Sequence, residues 1–516
     1  MDSSKIYTYW DHTFAWSPLH QTREQLRSKM HTYDRLGDEC IDQINDIGRQ
    51  VVNQDRQNDP ARKLPDLDVY IMLKDHAKDD RKLSELWAQV NTVPDWVDWQ
   101  QIKRGQEVFF RYGLPILNVV SLASNLVTTS SISTDKCQLN FESLLGGMLV
   151  TLQKVPPGFD LFLLRGSPSV VKALNLCGGF NNIYVVRKRL LETLQFILQV
   201  SESVDAMKPG GVGNISCIRV RLLHAYLRSL ICVRERYDNE RYGVPINDLD
   251  SLATISSFSS IIIWLGLPRQ GIWLRKQEID DYLALWRLVA YYLGVPDEPF
   301  ASQQTARALM ESLLVSEVDP INIGRVLARN ILNGLENKAP AHASMGFMEA
   351  MVRLLNGKQL SDSLQIPQPT LYYRVLIYGY CFFVMALAYG TRLFPKLDQR
   401  FIAVRLFSRG VTISVCTDLG QYRRRYYYTM ITDREKGLGG ESLFDFVYKP
   451  SHAGLLYKAV TVKEKEKIPK TSRRGIEALA RVGLVAAFIT VVTLLDGGYY
   501  VIRIVMRVFF SKIRYQ

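Results

Sequence analysis

What constrains this chain most is the rhythm of its middle. From "VPDWVDWQQIKRGQEVFFRYG" (Val93 to Gly113) to "YYLGVPDEP" (Tyr291 to Pro299), apolar segments of helical length alternate with short Gly/Pro breaks. Gly113-Leu-Pro115, Pro156-Pro-Gly158, Gly178-Gly179, Pro209-Gly-Gly211 and Gly294-Val-Pro296 are the punctuation. Proline lacks the amide a helix needs, and glycine tolerates the left-handed backbone where a helix stops. No sustained period-two alternation occurs, and neither GxGxxG nor GxxxxGK[ST] is present, which removes the usual nucleotide-binding signatures. The pattern predicts an all-α multi-helix bundle. "KPGGVGN" (Lys208 to Asn214) is Gly-rich, but with no strand before it, it reads as a turn between helices.

Around this middle the chain divides by composition. Residues 1–93 are polar and helix-biased, with Leu26, Met30, Tyr33, Leu36, Ile41, Ile44 and Ile47 at three- and four-residue spacings, as in amphipathic helices packed on something else. Residues 94–340 form the central helical unit, in which the chemistry-bearing residues below fall, and 341–470 a helical extension holding an uncharged run, 375–391, slightly short for a bilayer span and equally suited to a core helix. Residues 471–516 are a basic linker and a hydrophobic tail, read as a membrane anchor. No cleavable secretory signal is expected from "MDSSKIYTYWDHTFAWSP", which lacks a basic n-region and a clean apolar core. The seven cysteines are scattered and never form CxxC, which argues against a disulfide framework or a zinc site. The net charge of +13 and the segment "QYRRRYYYTM" would suit nucleic acid. No binding-module signature accompanies them, however, and much of the basic surplus lies near the anchor, where anionic lipid accounts for it.

Two places carry chemistry. In "CIRVRLLHAYLRSLI" (Cys217 to Ile231), Val220, His224, Leu227 and Ile231 share one helical face, so His224 points where a core should be. It is either a core histidine bonded to a backbone carbonyl or an axial ligand to haem iron, for which imidazole is the common proximal group. Arg219, Arg221 and Arg228 lie on neighbouring strips, able to reach outward or to meet an anionic group at the cavity edge. In "IYVVRKRLLETLQFILQV" (Ile183 to Val200), Arg189, Glu192 and Thr193 converge at i, i+3 and i+4 on a mostly apolar helix. They form either an intrahelical pair with a back-bonded threonine or one side of a site.

The ordered set "PDWVDW", "RGQEVFFRYG", "RLLET", "RVRLLHAYLR", "YGVPINDLD" and "YLALWRLVAYYLGV", between Pro94 and Pro299, resembles the latex-clearing protein (rubber oxygenase) family, which includes the ER-bound oxygenase mpaB. The resemblance implies a globin-like core holding haem b on one proximal histidine, and oxidative cleavage by O2 of a carbon–carbon double bond in an isoprenoid or similar lipophilic substrate. His224 matches the proximal iron ligand, Arg189 the distal-side arginine at the cofactor, and Thr193 the distal threonine. Glu192 departs from the pattern: rubber-cleaving members carry a lysine there, so a lysine-capped resting state does not follow. The implied partners are O2, a lipophilic alkene and membrane lipid, with the endoplasmic reticulum membrane as location. A membrane-associated helical scaffold of the same fold, without the chemistry, is the alternative the Glu192 departure keeps open.

Overall fold

The computed structural model describes residues 5–58, 67–112, 196–232, 239–317, 332–333, 335–337, 343–393, 447–448 and 476–493. Over these residues the chain is built of helices, as the spacing predicts, with two small antiparallel strand pairs. The first pair, β1 (Ile6–Tyr9) and β2 (His12–Ala15), is a hairpin that the helical reading did not anticipate. Its tight connection is Trp10-Asp11, both at positive φ (53° and 59°), the backbone that matches the twist of a two-residue hairpin. The second pair is only two residues long on each side, Leu67–Asp68 with Val447–Tyr448.

Polar caps set the helix starts. Helix α1 (Arg23–Arg27) begins at Thr22, whose hydroxyl accepts the Gln25 amide; α2 (Arg35–Asn58) begins after Asp34, which accepts the Gly37 amide at 3.2 Å. Helix α3 (Val69–His76) is capped by Asp68, α4 (Arg81–Asn91) by Asp80 and α5 (Trp99–Arg111) by Asp98. The Gly-rich stretch Lys208–Asn214, expected as a turn between helices, is one over Lys208–Gly211, with Gly210 at φ +80°, while Val212–Asn214 already begin α6 (Val212–Cys232). Then follow α7 (Asp248–Phe258, capped by Asn247), α8 (Lys276–Tyr292), α9 (Gln303–Ser316, capped by Ser302), α10 (Met345–Asn356, capped by Ser344), α11 (Leu371–Leu393) and α12 (Ile476–Thr493).

Helix α6 is central: α2, α3 and α8 all pack on it. Helix α5 lies along α8 so closely that a side chain at Gly105 would strike the Asp281 carbonyl. Among the described residues three helical stretches are long and apolar enough to cross a membrane, and their burial separates them. Asp248–Arg269 is 83% buried inside the protein and is core; Leu371–Gly390 and Ile476–Thr493 are 39% and 28% buried and leave most of their apolar surface outside.

Candidate functional site

His224 lies on α6 among Val220, Leu222, Leu223, Ala225 and Leu227, all buried. The imidazole itself is 5% exposed, and its Nε2 is buried without a hydrogen-bond partner. Burial favours the uncharged ring; the Arg228 guanidinium acts in the same direction and Asp34 opposes them weakly. Together they pull its pKa down to about 3. At neutral pH His224 is therefore an uncharged imidazole. A buried polar atom left unpaired is costly unless something else satisfies it. The carbonyl-bonded core histidine that spacing alone allows does not describe that nitrogen, which offers a lone pair in the tautomer that carries its proton on Nδ1.

The arginines around it pair with carboxylates of the N-terminal segment. Arg221 is 2% exposed and grips Asp34 with two bonds, Nε at 2.6 Å and Nη2 at 2.7 Å. Gly294, at φ +70°, makes room for this pair: a Cβ there would come within 2.6 Å of Arg221 Nε and 2.8 Å of the Asp34 carboxyl carbon. Arg228, 3% exposed, donates from Nε to Asp38 at 2.7 Å, from Nη1 to the Ile246 carbonyl and from Nη2 to the Asp34 carbonyl at 3.2 Å each, with Tyr33 beside it at 5.4 Å. Arg219 pairs with Asp68 and lies 6.0 Å from the Tyr70 ring. Three carboxylates of the N-terminal segment thus hold three arginines of the histidine helix.

Asp34, Asp38 and Asp68 were not among the residues the sequence suggested. The available signal was charge complementarity: acidic groups at i and i+4 opposite basic groups at i and i+7. Asp34 serves twice, capping α2 and anchoring Arg221, so the start of α2 is fixed against the helix that carries His224. Gly37 assists, because a Cβ there would strike the Asp34 carboxylate. Arg189, Glu192 and Thr193 lie outside the described residues.

Among the described residues no three His, Cys, Asp or Glu side chains converge in a way that could hold a metal ion. A single imidazole can fix iron only where the remaining ligands arrive with the metal, as they do in a porphyrin. The donor at His224, one neutral and unpartnered nitrogen in an apolar interior, fits that group.

Residues 161–386 match the family model described as "ER-bound oxygenase mpaB/B'/Rubber oxygenase, catalytic domain". A rubber oxygenase of Streptomyces sp. (strain K30) is 23% identical over 190 residues, 36% of this chain and 46% of that protein. The chain thus spans about half the length of that relative. A structure of latex clearing protein LCP in the closed state aligns at 16% identity over 76% of this chain and 95% of the other, with a TM-score of 0.46. His224, its helix α6 and α8 fall inside the matched region, whereas α2 and α3, which also pack on α6, lie before it.

Proposed function

We propose that this chain, whose residues 161–386 match the mpaB/rubber oxygenase catalytic-domain model, belongs to that family and is a haem b-dependent oxygenase. It cleaves a carbon–carbon double bond of an isoprenoid or similar lipophilic substrate with O2. His224 would hold the haem iron, through Nε2. The observation that carries this reading is that nitrogen itself: buried, unpartnered and uncharged in a helix held on several sides.

The haem supplies the activation of O2 when bound. The protein's part is to keep water away from His224 with the apolar residues of α6, and to keep its ring neutral so that the lone pair is free. It also fixes the ring's position through the Arg221–Asp34 and Arg228–Asp38 pairs on either side of it along the helix. Arg189 and Thr193, with Glu192 in the position of the family's lysine, take the distal role of orienting reactants by hydrogen bonds. The substrate class is lipophilic, and the protein meets it at a membrane, through the basic linker and hydrophobic tail of residues 471–516, with the endoplasmic reticulum as location. A tethered enzyme meets a lipid-dissolved alkene at raised local concentration.

The test is O2 uptake and carbonyl formation by the purified, haem-loaded chain on a polyisoprene or polyprenyl emulsion. Wild type consumes O2 and yields aldehyde or ketone ends. His224→Ala, shown to be folded by circular dichroism, yields neither. Haem-loaded wild type that cleaves none of a panel of unsaturated lipids would favour the scaffold alternative.

A further inference from the structure

Helix α11 has a surface that a water-soluble protein would not keep. Its inner side, Leu376, Ile377, Tyr380, Cys381, Val384 and Ala388, is buried against the body. The opposite stripe runs Leu371, Val375, Tyr378, Phe382, Ala386, Tyr389, Leu393 at steps of three and four, and it is apolar or aromatic from end to end. Leu371, Tyr378 and Leu393 are 73%, 69% and 74% exposed.

Helix α12 crosses one shoulder of α11 at a glycine pair. A Cβ on Gly483 would strike the Gly379 carbonyl, and one on Gly379 would strike the Ala480 carbonyl and Leu484. Such close backbone approach is how apolar helices associate where hydrophobic burial gives no drive. Beyond Ala487, α12 is exposed on every side, with Phe488, Ile489, Val491 and Val492 in the open. A protein partner covers one face of a helix, whereas lipid covers all of them.

The polar groups complete the pattern. Arg374 and Arg392 share the other shoulder of α11, about 27 Å apart at 1.5 Å per residue. At one end Arg481 bonds the Tyr372 hydroxyl at 3.0 Å. At the other end Arg392 donates to the Trp273 carbonyl at 2.8 Å, while the Tyr389 hydroxyl accepts the Trp273 amide; Trp273 is itself 60% exposed. Arginine with tyrosine or tryptophan at each end of an apolar stripe is the composition of a membrane–water boundary. The sequence just before α12, "KTSRR", adds positive charge suited to anionic headgroups. Arg392 also ties the platform to the body, through the Tyr112 hydroxyl at 2.8 Å and Glu278 at 3.0 Å, and Arg111 holds the same carboxylate at 3.0 Å.

We propose that α11 and α12 together form a two-helix platform that seats the protein on a lipid bilayer, with the outward stripe of α11 in the hydrocarbon beside α12. This rests on the membrane-bound reading above and extends it from the tail to a helix of the body. The test places an environment-sensitive fluorescent amino acid, one position at a time, at Tyr378, Phe488 or exposed Glu24 of the full chain. Each protein is added to phosphatidylcholine–phosphatidylserine vesicles whose acyl chains carry bromine. Bromine is expected to remove at least half the emission at Tyr378 and Phe488 and to leave Glu24 unchanged. Quenching at Phe488 without Tyr378 would overturn the platform and leave the tail as anchor. Quenching at neither would overturn both the platform and the membrane-bound reading. A blue shift at Tyr378 that needs no vesicles and grows with protein concentration would show a second copy covering the stripe, and would also overturn the proposal.

Discussion

Replacing Asp34 by alanine should loosen the helix that carries His224 more than any nearby surface change. The carboxylate caps α2 and makes both bonds to Arg221, whose side chain is 3% exposed and whose Nη1 already has no partner. Removing one member of a buried ion pair costs about 3 to 5 kcal/mol, and losing a cap about 1 kcal/mol more. The expected total, about 4 to 6 kcal/mol, is comparable with the whole stability of an ordinary domain. The readout is amide exchange along α6 in mild detergent, where opening should rise roughly a thousandfold or more, since each 1.4 kcal/mol is a factor of ten. Asp34→Asn, which can keep the cap, should lose markedly less. Asp34→Ala with Arg221→Met removes the stranded charge and should recover at least about 2 kcal/mol of the single variant's loss. Exchange in Asp34→Ala within a factor of about five of wild type, under 1 kcal/mol, would refute the clamp.

Two further changes probe other parts of the fold. Glu311, buried on α9, accepts from His12 and His20 at 2.9 Å each and from Arg307 at 2.9 Å, pinning the N-terminal hairpin. Burial alone would raise its pKa, but the three bonds outweigh it and hold the carboxyl at about 2, against an ordinary value of 4.5. A depressed folded-state value stabilises above the unfolded one, so the contribution, about 3 kcal/mol, is complete above pH 4.5 and is lost as pH falls toward 2. Melting temperature against pH should accordingly drop less steeply between pH 5 and pH 2, values of about those magnitudes, in Glu311→Gln than in wild type. Gly483→Leu places a side chain against the Gly379 carbonyl and should part α11 from α12. Limited proteolysis should then cut near residue 476 several-fold faster, with helical content nearly unchanged, and an unaltered cleavage rate would show that the glycine pair does not set the crossing.

The parts of this molecule that could be read from sequence are those decided by local spacing. The helical pattern of the middle, over its described residues, and the inward aim of His224 follow from three- and four-residue periodicity, and the turn at Lys208–Gly211 follows from its Pro-Gly-Gly sequence. Partners of the arginines do not, because Asp34 and Arg221 are 187 residues apart and only the fold brings them together. The N-terminal hairpin was missed for a local reason. Its turn is Trp10-Asp11 rather than an Asn-Gly type, so the usual marker is absent, although Tyr7, Tyr9, Phe14 and Trp16 alternate as strand residues do. The uncharged run of α11 was ambiguous in principle, because composition gives apolarity while only packing shows which side is covered. Arg189, Glu192 and Thr193 rest on sequence and resemblance alone.

The most direct measurement is the absorption spectrum of the full-length protein expressed with ample haem and purified in mild detergent, beside His224→Ala. Ligation by the unpartnered Nε2 predicts a Soret band in wild type that is lost in the variant while helical content is retained. Wild-type protein that is folded and haem-free, or a Soret band unchanged in His224→Ala, would contradict it.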